Sequence, residues 1–433
     1  MVSHAGQNEL VRRFVLSSVV LLCAGAPAVA ARAAWSPVEH MRDASNPRSV
    51  ALAGDARGDA AVAWIVNHPD RHAVTAVRVA IRRGRSGVWS AHLLRSARDL
   101  AAGGIALAMA PSGEVTVAWI EQPNGGHRTV RAAYRTPTGR WSTVQAVGYA
   151  APFAFAYPRL AVAAEGTVAL VYNAGVRAAP GMAAAWRRPG RPFGRIAAVP
   201  GGRLSEPTLA FDAAGTAFLV GTALCDNEEQ SQGVVQTALA SSHRFGVRRT
   251  ITPHPATELR FVLTGVGRGL ASWIDAGCST TELLGGSVSA RRVGLSDAGP
   301  VAAVAPAYEN DLRMVAAPGG ADLTWTGYAG DPAGVLFLAH VSTDGTGERP
   351  HLPADGWMPI GADAAGDQVL QTAVVQNGGE PRAIAARAAA STTVDLSPLA
   401  GPAYWIAAGS ATGRTLIVAT TLVGALRVAT WTP

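Results

Sequence analysis

The chain has no lysine: all 37 basic residues are arginine. With abundant alanine and glycine, that is the mark of a GC-rich coding sequence. Only 15% of residues are charged, and neither charge-rich heptads nor long amphipathic helical periodicities occur, which argues against coiled coils and helical bundles. After the N-terminal region, no segment is apolar for long enough to cross a bilayer as a helix. The most apolar, 415–426, is short and bracketed by Arg414 and Arg427. No P-loop, Gly-x-Ser-x-Gly elbow, His-Glu-x-x-His or paired Cys-x-x-Cys is present, so the chemistries those motifs carry have no support here. The ten histidines are scattered. His68 with His72, and His243 with His254, come nearest to clustering, and neither pair has a third ligand beside it.

What is present begins with an export signal. Arg12 and Arg13 precede an apolar run from Phe14 to Leu22, then small residues and Ala28-Val29-Ala30, the order of a cleavable signal peptide. Residues 1–30 are therefore expected to be removed, with cleavage as late as 33 left open, and the mature domain spans 31–433. Leu22 before Cys23 is too large for a lipoprotein signal. The mature protein is expected outside the cytoplasm, secreted or in the cell envelope. Losing Glu9, Arg12 and Arg13 leaves a net charge of +6 from 37 basic and 30 acidic residues. Spread over such a length, that is no nucleic-acid footprint.

A repeat of about fifty residues is the strongest signal in the chain. A turn glycine stands six residues ahead of an aromatic in Gly58/Trp64, Gly113/Trp119, Gly166/Tyr172, Gly267/Trp273 and Gly319/Trp325. Gly215, Gly366 and Gly413 hold the same place in units without the aromatic. Successive glycines lie 55, 53, 49, 52, 52, 47 and 47 residues apart, the period of a four-stranded propeller blade. Near-continuous apolar runs such as Val115-Thr116-Val117-Ala118-Trp119 suit strands covered on both faces. Third strands are read as ending in Ala-x-Arg at Arg82, Arg135 and Arg187, with Ala290-Arg291 in the same place. The Trp-Ser pairs at 89–90 and 141–142 open the fourth strands.

The fold expected is therefore an all-β propeller of about eight four-stranded blades, with seven also possible. The last unit has strands one to three and then stops, while Trp35-Ser36 near the start matches the fourth-strand signature. An N-terminal strand completing the last blade would remove two open sheet edges.

These residues resemble the sialidase and BNR-like superfamily, whose Asp-box reads Ser-x-Asp-x-Gly-x-x-Trp between third and fourth strands. Here that place reads Arg85-Ser86-Gly87-Val88-Trp89-Ser90 and Thr138-Gly139-Arg140-Trp141-Ser142, keeping the glycine, tryptophan and serine but not the aspartate. The chain is also similar to exported bacterial propeller-repeat proteins over nearly its whole mature length. The sialidase resemblance implies six blades, an arginine triad, a Tyr/Glu nucleophile pair and an early Phe-Arg-Ile-Pro-type motif. Asn46-Pro47-Arg48-Ser49-Val50 stands where that motif would be.

Three constellations follow from the repeat. Cys225 and Cys278 fall in second-to-third-strand loops of adjacent units, where export favours a disulfide over two free thiols; closing a loop of about fifty residues would contribute roughly 4 kcal/mol. Carboxylates gather at the same end of the units: Asp226, Glu228, Glu229, Asp275 and Glu282 in those loops, and Glu206, Glu258, Glu309 and Asp311 on the connections between units. They are either solvated loop charges or a site for a cation such as Ca2+ or for acid–base chemistry. Arg159, Arg260 and Arg313 share one first-strand position in units three, five and six if the sixth turn is one residue longer, with Tyr157 and Tyr328 nearby. They either converge on a carboxylate or sulfate or pair with neighbouring acids such as Glu206, Glu258 or Asp311.

No cofactor is implied apart from that Ca2+ option, and no metal ligand set is found. The expected function is a binding or interaction module, acting as a monomer on an extracellular ligand, glycan or protein. The alternative is a glycan-active hydrolase or lyase on a degenerate sialidase-like scaffold.

Overall fold

The computed structural model describes residues 34–35, 39–41, 47–55, 57–66, 75–84, 87–97, 100–123, 126–152, 157–175, 181–223, 232–275, 286–295, 297–307, 312–317, 319–327, 335–343, 347–348, 351–355, 357–365, 368–375, 382–387, 390–394, 405–411, 415–422 and 425–432. The expected signal peptide, Cys225, Asp226, Glu228, Glu229, Cys278, Glu282, Glu309, Asp311, Tyr328, Gly366 and Gly413 lie outside them.

The described residues form antiparallel sheets and no helix. In chain order, sheet one comprises Pro47–Gly54, Ala60–Val66, Thr75–Arg82 and Ser90–Ala97. Sheet two comprises Leu100–Met109, Val115–Pro123, Thr129–Arg135 and Gln145–Tyr149. Sheet three comprises Arg159–Val162, Val168–Ala174, Gly181–Arg187 and Ala197–Val199; sheet four, Leu204–Phe211, Thr216–Ala223, Gly233–Leu239 and Arg249–Thr250. Sheet five comprises Ala256–Gly265, Arg268–Asp275, Gly286–Gly294 and Ala298–Ala307. Sheets six, seven and eight begin at Arg313–Ala317, Trp357–Ala365 and Trp405–Ala411. Within each sheet, neighbours in sequence pair with one another.

The first strands of successive sheets run beside one another, and that of sheet eight runs beside that of sheet one. This is the arrangement of a β-propeller, with first strands innermost. The short strand Ala34–Trp35 pairs with the last strand, Ala425–Thr432, with Ala34 opposite Thr432 and Trp35 opposite Trp431. Glu39–His40 pairs with the same strand.

The repeat glycines are where the backbone needs them. Gly58, Gly113, Gly166, Gly215, Gly267 and Gly319 all have φ between 68° and 88°, the left-handed region that a β-carbon disfavours. Each closes the turn from first to second strand. The following tryptophans, Trp64, Trp119, Trp273 and Trp325, are buried.

The core lies between sheets rather than within any one of them. One apolar cluster joins Ala118, Ile120 and Val130 of sheet two to Leu170, Tyr172 and Ala185 of sheet three. Another joins Val171 and Trp186 to Leu219 and Phe245 of sheet four. Leu426, from the last strand, packs with Trp64 and Val62 of sheet one. Second strands are thus covered on both faces, and Ala60–Val66 and Val168–Ala174 are buried at every position. The outermost strand Ser90–Ala97, with solvent on one side, is mostly exposed.

Two expectations about local position need correction. Arg82, Arg135 and Arg187 stand opposite Ala60, Val115 and Val168, each two residues after a turn glycine. Arg291 does not share that register: it faces Ala271, and Val293, opposite Gly269, takes the equivalent place. The third strand of sheet five runs three residues beyond Arg291, so the short Ala-Arg match was misaligned by one pleat repeat. Glu206 and Glu258 were expected on connections between units and are instead inside first strands, because those strands start earlier and accommodate a bulge.

Candidate functional site

The first strands carry a repeated bulge near their starts. Register shifts between Gly103 and Ala106, Ser205 and Thr208, and Thr257 and Arg260. At the bulge, Gly104, Glu206 and Glu258 have φ of 54°, 41° and 49°. The glycine adopts this without strain, whereas the two glutamates hold a conformation that costs a residue with a β-carbon about 1 kcal/mol or more. Bulges re-aim side chains and often border functional sites. Tyr157 occupies the corresponding place in sheet three, two residues ahead of Arg159, and its ring lies over Gly104, where an added β-carbon would come within 2.3 Å of Cδ1.

Two residues further along, the arginines align as the repeat predicts. Arg159 faces Val171, Arg260 faces Ser272 and Arg313 faces Thr324, each partner being five residues after its turn glycine. The description of Arg313 stops at its backbone. The other two use the same inter-sheet contact: Arg159 Nε donates to the Pro207 carbonyl at 2.9 Å, and Arg260 Nε to the Leu312 carbonyl at 2.8 Å. Each guanidinium is therefore anchored to the next sheet by Nε, which leaves its terminal nitrogens to be used elsewhere.

Their terminal nitrogens differ. Arg260 Nη1 donates to Glu206 Oε2 at 2.8 Å, and its Nη2 lies 3.9 Å from Glu258 Oε2. Arg260 is 16% exposed and Glu206 55%, so the acid can swing into water while the arginine stays in place. Arg159 has no carboxylate within ion-pair distance among the described residues. Burial pushes its pKa below the usual arginine range; Glu206 opposes that, and the positive charge of Arg260 adds to it. The result is a desolvated cation near a second cation, with Glu206 the acid whose charge reaches both.

Among the described residues, Glu258 and Asp275 have structural partners. Glu258 Oε2 accepts the Leu312 amide at 2.6 Å, tying sheet five to sheet six. Asp275 ends the second strand of sheet five rather than sitting in a loop. It accepts Trp273 Nε1 at 2.7 Å and the Ser289 hydroxyl at 2.5 Å. Glu121 repeats the arrangement in sheet two, accepting Trp119 Nε1 at 2.9 Å. An acid two residues after the repeat tryptophan is a signal the sequence carries but that passes for an ordinary loop charge until the indole is seen to donate to it.

Among the described residues, no group of three or more His, Cys, Asp or Glu is placed to hold a metal ion. Thus Arg159, Arg260, Glu206 and Glu258 come together at one end of the inner strands of sheets three to five, while Asp275 belongs to the body of its own sheet.

No family model matches the chain, and no curated protein matches it. Solved structures match at the level of fold. The Dos1 propeller is 9% identical, with a TM-score of 0.54, over 92% of this chain and 95% of that one. The polysaccharide lyase Uly1 is 10% identical, with a TM-score of 0.51, over 76% of this chain and 90% of that one. A Hadza microbial sialidase, Hz136, is 11% identical over 82% of this chain and 73% of that one, at a TM-score of 0.38. The Dos1 propeller and Uly1 thus share the architecture, and at these identities the likeness extends to the fold alone.

Proposed function

We propose that the protein is a propeller binding module, with eight blades closed by the N-terminal strand, that takes an extracellular ligand bearing a carboxylate or sulfate at the mouth of its inner strands. Arg159 carries this reading: it is a desolvated guanidinium held by its Nε, with no carboxylate within ion-pair distance among the described residues. Arg260 supplies a second fork once Glu206 is displaced, and the exposed Tyr157 ring offers an apolar edge beside them. Guanidinium forks suit such planar or tetrahedral oxyanions because two parallel N–H bonds can form at once.

Binding is favoured over hydrolysis or lyase chemistry because Glu258 and Asp275 already accept from protein donors, which leaves Glu206 as the single carboxylate of the described site able to reach a substrate. A general acid or base needs a carboxyl able to reach a substrate proton. An acidic glycan or an acidic protein segment both meet the chemical requirement, and Uly1 and the sialidase lend the glycan only a fold-level precedent.

The test is a panel of glycans carrying carboxylate or sulfate, each matched to its neutral counterpart. Retention of acidic members, loss in Arg159→Gln and tighter binding in Glu206→Gln are expected. Equal retention of neutral members, or indifference to Arg159→Gln, overturns the reading.

A further inference from the structure

The opposite end of the sheets, where first strands turn into second and third into fourth, has a different surface. The third-to-fourth connections of sheets one to four touch one another in succession. Arg83 Nη2 reaches the Pro137 carbonyl at 3.4 Å, Tyr134 Oη donates to the Gly190 carbonyl at 3.0 Å, and the rings of Trp186 and His243 lie 5.4 Å apart.

Charge is sorted by depth on this face. Asp55, Asp59, Glu114 and Asp212 are buried, turned inward onto turn amides and arginines. Arg140, Arg188, Arg191 and Arg244 are exposed, and none of them has an ion pair among the described residues. Glu165 is the one exposed carboxylate among the described turns and connections of these four sheets. The face is therefore net positive, although the chain as a whole is only modestly basic.

Aliphatic side chains stand among these arginines. Val88 is 84% exposed and Val247 88%, each directly after the glycine of its connection. The exposed aromatics, Tyr149 and Tyr157, belong to the other end. Arginines interspersed with protruding aliphatics, with the aromatic rings of this face at least half-buried among the described residues, fit an anionic lipid surface better than a polysaccharide. The guanidinium groups meet headgroup phosphates while the valines enter the boundary with the acyl chains.

We infer that this face docks the protein peripherally on an anionic membrane, through Arg140, Arg188, Arg191 and Arg244 with Val88 and Val247 as apolar tips. The inference is independent of the Arg159 site, which lies at the other end of the strands. Docked in this way, the protein would hold that mouth away from the bilayer and open to solvent.

Co-sedimentation of the mature chain with vesicles tests it, using phosphatidylcholine alone and equal parts phosphatidylcholine and phosphatidylglycerol. Binding to the mixed vesicles and not to the neutral ones is expected, weakening as salt rises. Arg140→Gln with Arg244→Gln should lower the partition coefficient about thirtyfold. Val88→Asp with Val247→Asp should also release the protein, although these exposed changes leave the thermal melt in place. Arg159→Gln should bind the vesicles as the parent does. Equal binding to neutral vesicles overturns the inference. So does binding that ignores the valine changes and is matched by dextran sulfate, because the face would then be a generic polyanion surface.

Discussion

Arg187 and Glu114 form an ion pair of 2.5 Å with both side chains buried, joining the end of the third strand of sheet three to the turn of sheet two. Thr116 Oγ1 accepts from the same guanidinium, the Tyr134 ring lies 4.5 Å from its Cζ, and the other Glu114 oxygen accepts the Gly190 amide. The recurrent Ala-x-Arg arginine is thus, in this sheet, an inter-blade fastener. Removing one member strands the other charge in a dry site. Glu114→Ala should cost about 3–5 kcal/mol, read from urea midpoints, whereas a joint Glu114→Leu, Arg187→Met change should recover much of that loss. Equal costs for the single and double variants would show that the pairing itself is not what matters.

Tyr172 predicts an alkaline limb. Burial pushes its phenol pKa from 10.0 up to about 12, because the phenolate would be formed out of water. An acid whose folded pKa is raised binds more protons in the native state than in the unfolded one across that interval. Stability is then full below about pH 10 and falls between pH 10 and 12, by at most about 1.4 kcal/mol per pH unit from this group. Tyr172→Phe should flatten that decline. Its hydroxyl is also packed on Gly148, where an added β-carbon would lie 2.0 Å away. Gly148→Ala should therefore destabilise by about 1–3 kcal/mol, and Tyr172→Phe should relieve part of the cost. Alkaline denaturation midpoints of the two variants and their combination check both statements.

The strands Ala34–Trp35 and Glu39–His40 add hydrogen bonds to the last strand of the chain, and Leu426 of that strand packs with Met41 and Trp64. Deleting residues 31–40 should lower the melting temperature and raise protease sensitivity around 425–432, nearly four hundred residues away in sequence. A truncated chain that melts like the parent, with unchanged cleavage there, would show that the terminal pairing contributes nothing.

Much of the architecture is legible in the sequence because a propeller repeats its backbone requirements. The described turn glycines have positive φ values, which a β-carbon disfavours, and buried tryptophans recur at one depth in sheets one, two, five and six. Arg159 and Arg260 could be placed alike for the same reason, each lying seven residues before its turn glycine, whereas Arg313 lies six before Gly319 and its pairing with Thr324 is what shows the shared position. Arg291 departs from the repeat because the third strand of its sheet continues to Gly294, a register that only the pairing partners reveal.

The partners of those residues could not be read, because they come from neighbouring blades some fifty residues away. Sequence alone determined the repeat, the inward-facing runs and the presence of acids beside arginines. Tertiary structure decided that Glu206 leans onto Arg260, that Asp275 is held by Trp273 and Ser289, and that no carboxylate among the described residues stands within ion-pair distance of Arg159. It also decided that the carboxylates of one face are buried while its arginines protrude. Those outcomes depend on desolvation and on distances across sheets, quantities that no spacing along the chain encodes.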